Sequence, residues 1–243
     1  METPKTVFLF TDFGTSGPYV GQLFAAVLAV DTRIPVVDLM HDAPAMRPDL
    51  AAYLLPAVCR LLPEGAIVVA VVDPGVGSDR QALIVETGAL TLIGPDNGLM
   101  ARMPDIQRVS RIDWQPRGLS TSFHGRDLFA PMAAQLAIGG GVASSPLAAG
   151  SLLGADWPDN LAQVIHIDAY GNAMTGLSAE KFPKNRKITI AGRCLAYAPT
   201  FSTVPHGEPF WYANSQGLVE VAVNRGSAAM MLSLALGDGF LID

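Results

Sequence analysis

The sequence predicts an α/β fold in which a mostly parallel sheet with flanking helices is followed by a smaller all-β domain. Apolar runs of strand length alternate with segments of helical periodicity through the first 140 residues. Beyond residue 160 the helical pattern disappears, and short apolar runs alternate with turn residues. We therefore expect an N-terminal domain at residues 1–140, a linker rich in Gly, Ala, Ser and Pro at 141–160, and a β domain at 161–243.

The stretch AIVVAVVDPGVGSDR, residues 66–80, is the centre of the first domain. Its continuous apolar run from Ile67 to Val72 predicts a strand that is buried on both faces of a parallel sheet. The run ends at Asp73, and a loop with two glycines leads to Arg80. An acid at the carboxyl end of a central strand lies where open α/β sheets bind ligands. The alternative interpretation is that the loop only makes a tight turn.

The other elements of the first domain follow from the same patterns. We expect strands at 6–10 and 36–39, helices at 19–30, 49–62 and 128–138, and a hairpin formed by 82–86 and 90–93. The loops around Asp12, Asp73 and His124 are expected to meet at one edge of the sheet. The second domain carries polar turns at 168–172 and 214–217, and polar loops on both domains favour a site between them.

The composition argues against several classes of protein. The chain has 243 residues, half of them apolar, and no apolar run reaches the roughly 18 residues that span a membrane. Its first residues lack the pattern of a secretory signal, which predicts a cytoplasmic protein. A net charge of −6 without a cluster of Lys and Arg argues against a nucleic-acid partner. Cys59 and Cys194 lie far apart and without nearby His ligands, so they predict neither a metal site nor a disulfide framework.

Taken one at a time, the polar residues have structural as well as functional interpretations. His124 is either a base or a structural hydrogen-bonding residue, and Asp12 is either a ligand group or a helix cap. Arg80 is either functional or half of a surface ion pair with Asp79, and His41 is interpreted as structural or solvated. The chain has no GxSxG, HExxH, P-loop or GxGxxG motif. The residues alone therefore predict an enzyme-like domain with a carboxylate-rich cleft, and they do not identify a substrate.

An ordered set of segments covers the chain from Thr11 to Ala229: TDFG with PYVG, VVDPGVGSDR, GPDNGL, FHGRDLFAPMAAQL, IDAYGN and NSQGLVEVAVNRG. The set resembles the S-adenosyl-L-methionine (SAM) hydrolases, also called SAM hydroxide adenosyltransferases, which are relatives of the SAM-dependent fluorinase and chlorinase. The resemblance implies hydrolysis of SAM to adenosine and L-methionine by activated water or hydroxide that attacks the ribose C5′. It also implies a β-barrel-like second domain, no cofactor and no metal, and a homotrimer whose sites lie between the N-terminal domain of one subunit and the C-terminal domain of its neighbour.

The resemblance also assigns roles to residues. The catalytic triad of the family falls on Asp73, Arg80 and His124. Of the substrate-binding positions, Phe123 and Tyr170 are expected to pack near the nucleoside. The full set of matching substrate-binding positions is Asp12, Tyr19, Phe123, Asp168, Tyr170, Asn172, Ser215 and Ala228.

The remaining assignments concern the nucleoside end and the methionine end of the substrate. Asp12 is expected to bind the ribose hydroxyls, and Asn172 is expected to hydrogen-bond adenine. Asp168 and Ser215 are expected to hold the ammonium and the carboxylate of methionine.

The chain departs from the family at Gly17, where an acid is usual, at Phe24, where Lys is common, and at Gly176, where Asn is usual. These departures affect the methionine end of the site, and the one at Gly17 leaves room for a non-catalytic protein that binds SAM or adenosine. The second alternative is a SAM-dependent halogenase. It is disfavoured because the chain keeps Asp73 and His124, which halogenases replace, and lacks their extra loop of about twenty residues in the N-terminal domain.

The implied reaction needs no acid and no metal, because the leaving group is a neutral thioether. The nucleophile is the difficulty. Arg80 stays protonated and is expected to stabilise developing hydroxide, with Asp73 orienting Arg80 or accepting from the water. His124 is a candidate to take the proton, and the sequence leaves open which group accepts it.

Overall fold

The computed structural model describes residues 3–243. By its internal contacts the chain divides into two compact units, one ending at Trp157 and one from Pro158 to Asp243. No helix among the described residues is both long enough and apolar enough to span a bilayer.

The first unit is built on one seven-stranded sheet. Its strands are β1 (Val7–Thr11), β2 (Val36–Met40), β3 (Ile67–Val71), β4 (Ala82–Thr87), β5 (Thr91–Pro95), β6 (Ile106–Ile112) and β7 (Ser144–Leu147). They are ordered β2-β1-β3-β5-β4-β6-β7. The strands β2, β1, β3 and β5 pair in parallel, whereas β4, β6 and β7 add to the sheet by antiparallel pairing. The predicted α/β class, the parallel centre of the sheet and the hairpin are confirmed.

Three α-helices cover this sheet: α1 (Tyr19–Leu28), α2 (Pro48–Cys59) and α3 (Ala130–Ala137). Helix α1 buries Leu23 and Val27, which lie four residues apart on one face. A π-helical turn at Gly125–Phe129 leads directly into α3. Such turns are rare and often lie at functional sites, and this one begins next to His124.

The buried strands fix where the polar loops begin. All five residues of β1 and all five of β3 are buried, as expected for strands covered on both faces. Each fully buried Val or Ile contributes about 1.5–3 kcal/mol relative to an exposed one, so these strands are the rigid centre of the unit. In the β1–β3 register Thr11 pairs with Val71, so Asp12 and Asp73 leave the sheet at the same edge.

The stretch 141–160, which the sequence predicts as a linker, is structured up to Trp157. It contributes β7 to the sheet through pairing with β6. The Trp157 ring lies where a Cβ on Gly98 would meet it at 2.3 Å. Arg102 Nη1 donates to the Trp157 carbonyl at 2.6 Å. The part of the stretch that ends at Trp157 therefore belongs to the first unit.

The second unit contains two antiparallel sheets. Its strands are β8 (Leu161–Ile167), β9 (Ala173–Ser178), β10 (Ile188–Ile190), β11 (Arg193–Leu195), β12 (Pro209–Ala213), β13 (Leu218–Val223) and β14 (Leu241–Ile242), and its one α-helix is α4 (Ala228–Leu232). One sheet has the order β12-β13-β9-β8 and the other β11-β10-β14. The prediction of a β domain is confirmed, but among the described residues these sheets do not form the closed barrel that the resemblance suggested. The core of the unit surrounds Trp211, which is 1% exposed.

Candidate active site

Asp73 and Arg80 form a buried ion pair at the carboxyl end of β3. Arg80 Nε donates to Asp73 Oδ1 at 2.8 Å, and Arg80 Nη2 donates to Asp73 Oδ2, so the guanidinium engages both carboxylate oxygens. The side chain of Asp73 is 4% exposed and that of Arg80 is 8% exposed. The alternative of a surface pair between Arg80 and Asp79 is therefore wrong. The eight residues from Asp73 to Arg80 form a loop in which the last side chain returns to contact the first.

The same guanidinium reaches the third residue of the predicted triad. Arg80 Nη2 lies 3.1 Å from His124 Nδ1. Arginine has only donors, so Nδ1 must be the acceptor and the proton of a neutral His124 must lie on Nε2. The pKa of His124 is lowered, first by burial and second by the positive charge of Arg80, which favours the neutral ring. His124 therefore offers Nε2–H as a donor.

An aromatic ring covers one side of Arg80. The guanidinium carbon lies 5.4 Å from the centroid of Phe129, the last residue of the π-helical turn. This contact adds a cation–π attraction to the hydrogen bonds from Arg80 to Asp73 and His124. Arg80 is thus held by a carboxylate, an imidazole and a ring, and a side chain fixed in this way costs little entropy to organise during a reaction.

Close backbone packing holds the loop in place. Gly77 has φ +82°, and a Cβ at this residue would lie 2.4 Å from the Thr121 carbonyl oxygen. Only glycine accepts both the conformation and the contact. The Asn97 side chain donates from Nδ2 to the Val72 carbonyl at 2.8 Å, directly before Asp73. Asn97 thus has a supporting role at the site.

Replacing Gly77 by alanine is expected to lower the free energy of unfolding by at least about 1 kcal/mol, because a Cβ strains the loop at this position. Turnover is expected to fall as well, because the same loop carries Arg80. The matched control is Gly75→Ala, since Gly75 has no positive φ and a Cβ there would meet nothing closer than 3.5 Å. Urea unfolding and turnover are measured for both variants. Equal stability of the two variants would contradict the loop-packing argument.

Asp12 lies beside the ion pair. Its Oδ2 accepts a hydrogen bond from the Met46 backbone at 2.9 Å. The pKa of Asp12 is raised, chiefly by burial and to a smaller extent by the nearby charge of Asp73. The structure therefore shows a partly buried carboxylate and does not support the alternative of a helix cap, since Pro18 holds the N-cap position of α1.

A buried histidine contacts the end of β1, directly before Asp12. His41 Nδ1 and the Thr11 hydroxyl are 2.7 Å apart, and His41 Nε2 lies 2.8 Å from Asp38 Oδ1. His41 is 5% exposed. Of its two interpretations, structural and solvated, the structural one is confirmed.

Two of the predicted substrate-binding aromatic residues lie in one cluster with a third ring. Tyr19 and Phe123 have centroids 5.5 Å apart, and Phe13 lies 6.0 and 5.7 Å from them, all edge to face. Tyr19 is half exposed. Phe13 was not predicted, although its place directly after Asp12 was a usable signal.

In the second unit the turn after β8 is organised by Asp168. Its Oδ1 accepts from the backbone of Tyr170 and Asn172, each at 2.9 Å, and its Oδ2 accepts from Asn172 Nδ2 at 2.9 Å. Tyr170 is 81% exposed, whereas Asn172 is buried. This local network leaves the ring of Tyr170 at the surface and fixes the orientation of the Asn172 amide.

The other two predicted positions of the second unit differ in accessibility. Ser215 is exposed, in the turn that joins β12 to β13. Ala228 is fully buried in the core of the unit. Its neighbour Ser227 packs within 2.0 Å of a Cβ position on Gly171, so this segment supports the Asp168 turn. Ala228 therefore offers no surface to a ligand in this structure.

Both parts of the chain are similar to the same family of known proteins. Residues 7–145 match the family model for the SAM hydroxide adenosyltransferase N-terminal domain, and residues 162–240 match that for the C-terminal domain. The chain is 40% identical to the (R)-S-adenosyl-L-methionine hydrolase of Thermus thermophilus, with 96% of this chain and 97% of that protein covered. It is 35% identical to the (R)-S-adenosyl-L-methionine hydrolase of Salinispora arenicola, with 98% and 97% covered.

The chain is also similar to a solved structure and to a more distant relative. An uncharacterised conserved protein from Thermotoga maritima superposes with a TM-score of 0.82 at 25% identity, with 98% of this chain and 99% of that chain covered. The fluorinase of Actinopolyspora mzabensis is 22% identical, with 95% of this chain and 94% of that protein covered.

Proposed function

The chain belongs to the SAM hydroxide adenosyltransferase family, and from that premise we propose that it hydrolyses (R)-SAM to adenosine and L-methionine. The observation that carries this proposal is the partly buried chain of hydrogen bonds from Asp73 through Arg80 to His124. The relatives from Thermus and Salinispora are named (R)-S-adenosyl-L-methionine hydrolases, which supports (R)-SAM as the substrate.

The proposed reaction is a displacement at the ribose C5′. A bond forms between the nucleophile oxygen and C5′, and the C5′–S bond breaks with its electron pair left on the methionine sulfur. The sulfonium becomes a neutral thioether, so no proton is needed by the leaving group. A water nucleophile must lose one proton, which passes to the solvent, and a hydrogen-bond donor with a nearby positive charge stabilises the oxygen as it takes on hydroxide character.

The triad geometry divides the work among three side chains. Asp73 balances the charge of Arg80 and fixes its orientation. Arg80 fixes the tautomer of His124, whose Nε2–H is then available to bind the nucleophile oxygen. In this tautomer His124 is a donor at Nε2 and does not take the proton there, so we assign it as a donor, although the sequence also leaves open a role as the base.

The contacts to the nucleoside are assigned to residues of both units. We assign the ribose hydroxyls to Asp12, whose partly buried carboxylate lies next to the triad. Tyr19 and Phe123 line the nucleoside from the aromatic cluster. In the second unit Asn172 is assigned to adenine, with Tyr170 beside it.

The amino-acid end is assigned to Asp168 and Ser215. Asp168 provides an acid for the ammonium, and Ser215 provides a hydroxyl for the carboxylate. A role for Ala228 would require its segment to become accessible, since it is buried here.

We propose that the reaction proceeds without a cofactor or a metal. Among residues 3–243, no group of three or more His, Cys, Asp and Glu side chains is placed to hold an ion. The chemistry also creates no anionic leaving group that a metal would stabilise. Turnover is expected to be unchanged by a chelator. A loss on chelation that a divalent ion restores would refute this part of the proposal.

We further propose a homotrimer with composite sites in the cytoplasm. The division of the assigned residues between the two units supports a composite site, and the free, exposed thiol of Cys194 is compatible with a reducing compartment. Light scattering is expected to give the mass of three chains, and cell fractionation is expected to recover the protein with cytoplasmic enzymes. A fully active monomer, or recovery outside the cytoplasm, would contradict these proposals.

The test of the function is product analysis. The chain is incubated separately with the R and S epimers at sulfur, and adenosine and methionine are separated by chromatography. Adenosine is expected from the R epimer at a rate well above that of the protein-free control. Binding of SAM without adenosine would indicate a non-catalytic binding protein. Formation of 5′-chloro-5′-deoxyadenosine in the presence of chloride would indicate a halogenase.

A further inference from the structure

A buried acid in the second unit has no part in the chemistry proposed above. Glu220, on β13, is 2% exposed. Its Oε1 accepts a hydrogen bond from the hydroxyl of Tyr212, which lies directly opposite on β12. Its Oε2 accepts from Asn214 Nδ2 at 2.7 Å. A buried carboxylate is costly unless its oxygens are hydrogen-bonded, and here both have a donor.

Glu220 determines the orientation of the Asn214 amide. A carboxylate only accepts, so Asn214 must direct its NH₂ group to Glu220 and its Oδ1 to the other side. There Oδ1 accepts from the backbone of Gln216 at 3.1 Å and of Leu218 at 2.8 Å. The Asn214 backbone also donates to the Leu218 carbonyl at 2.9 Å. The amide of Asn214 therefore braces the whole turn from inside.

We propose that Glu220 is a positioning residue for the amino-acid end of the substrate, because it fixes Asn214, and Asn214 fixes the turn that carries Ser215. The proposal rests on the proposed function, in which Ser215 binds the carboxylate of methionine. Asn214 and Glu220 are buried, whereas Ser215 is exposed, so the turn presents Ser215 from a rigid base.

The negative charge of Asp168, the residue assigned to the ammonium, also acts on this network. The pKa of Glu220 is raised chiefly by burial, and the negative charge of Asp168 adds to the rise. The same charge contributes to the raised pKa of Tyr212. Asp168 thus acts on the network electrostatically, whereas the hydrogen bonds that position Ser215 come from Asn214 and Glu220.

The proposal predicts a separation of KM from kcat. The amino-acid end of SAM does not react, so its contacts are equal in the ground state and the transition state, and losing them raises KM with little change in kcat. Glu220→Met keeps the volume and removes the acceptor. It is expected to weaken L-methionine binding and to raise KM for SAM by about tenfold or more, with adenosine affinity unchanged.

Two further variants complete the experiment. Glu220→Gln is expected to bind methionine within about threefold of the unaltered chain, because its amide oxygen can still accept from Asn214 and its NH₂ can donate to the Tyr212 oxygen. Glu208→Met is the matched control, since Glu208 is an exposed acid of the same unit. Binding of L-methionine and of adenosine is measured by calorimetry, and KM and kcat are measured with SAM.

Several results would overturn the positioning role. These are unchanged methionine affinity in Glu220→Met, an equal loss of adenosine and methionine affinity, and a Glu220→Gln variant as weak as Glu220→Met. If Glu220→Met does not fold, Asn214→Asp is used, which keeps the acceptor for the turn and loses the donor to Glu220. It is expected to weaken methionine binding in the same way, and unchanged binding would again overturn the role.

The failure of this proposal differs from a failure of the proposed function. Normal methionine binding by Ser215→Ala would overturn the positioning role, because no contact would then need positioning, and SAM hydrolysis would stand. An unaltered chain that binds methionine but releases no adenosine from SAM would overturn the proposed hydrolysis. The loss of methionine affinity in Glu220→Met would then still support the positioning role.

Discussion

Replacing Arg80 by lysine is expected to lower kcat by about a hundredfold or more while KM for SAM changes little. Lysine keeps the positive charge, but it lacks the planar fork that contacts both oxygens of Asp73 and Nδ1 of His124. A hundredfold loss corresponds to about 2.7 kcal/mol of transition-state stabilisation, which is typical for the removal of one preorganised electrostatic contact. The effect falls on kcat because this interaction is made mainly in the transition state.

The matched control is Arg111→Lys, which alters an exposed arginine whose partner is Asp113. An exposed pair of this kind contributes less than about 1 kcal/mol, so the control is expected to keep full activity. Steady-state kinetics with SAM and thermal unfolding are measured for both variants. Turnover of a folded Arg80→Lys chain close to that of the control would remove Arg80 from the mechanism.

The catalytic end of the site was largely predictable because its signals are local. The run from Ile67 to Val72 predicts a buried strand, and a buried parallel strand brings Asp73 to the ligand edge of the sheet. Neighbouring parallel strands end at the same edge, which places Asp12 there as well. The sequence did not show that Arg80 turns back to Asp73, since an Asp79–Arg80 pair had the same local pattern. Only the packing of the loop, with Gly77 against Thr121, selects between the two.

The supporting residues were not predictable because their partners are distant in sequence or specified only by pairing register. His41 contacts Thr11 across 30 positions, and Asn97 contacts Val72 across 25. Glu220 is the one polar residue in the apolar run of β13, and its role depends on the β12–β13 register that places Tyr212 opposite it. In the same way, the segment with β7 has a linker-like composition, and its strand is defined only by pairing with β6.

The two ends of the proposed site are built on different physical principles. The triad relies on one arginine that organises an anion and a neutral ring, so its strength depends on exclusion of water. The amino-acid end relies on turns held by the side chains of Asp168 and Asn214, which order backbone N–H groups. Substitutions in the triad are therefore expected to act on kcat, and substitutions in the turns on KM. This difference allows each assignment to be tested separately.

Replacing His124 by asparagine is expected to lower kcat by about a hundredfold, whereas glutamine is expected to lower it by only about tenfold. The asparagine oxygen can replace Nδ1 as acceptor for Arg80, but this variant has no donor at the position of Nε2. The glutamine NH₂ can supply that donor, while the hydrogen bond from Arg80 is lost. The order of the two variants therefore tests whether the Nε2–H donor is the essential contribution of His124. If asparagine is the better replacement, the role of His124 is to hold Arg80.

The pH dependence provides an independent test of the same role. Since the pKa of His124 is lowered from its ordinary value near 6.5, kcat/KM is expected to be constant above that pH and to fall only as the pH drops further into the acid range. The loss occurs because protonation makes Nδ1 a donor, which breaks the hydrogen bond from Arg80 and places two cations together. In His124→Gln the limb due to His124 should disappear, while His206→Gln, which alters an exposed histidine, should keep it. An unaltered acid limb in His124→Gln would assign the limb to another group and contradict this account of the tautomer.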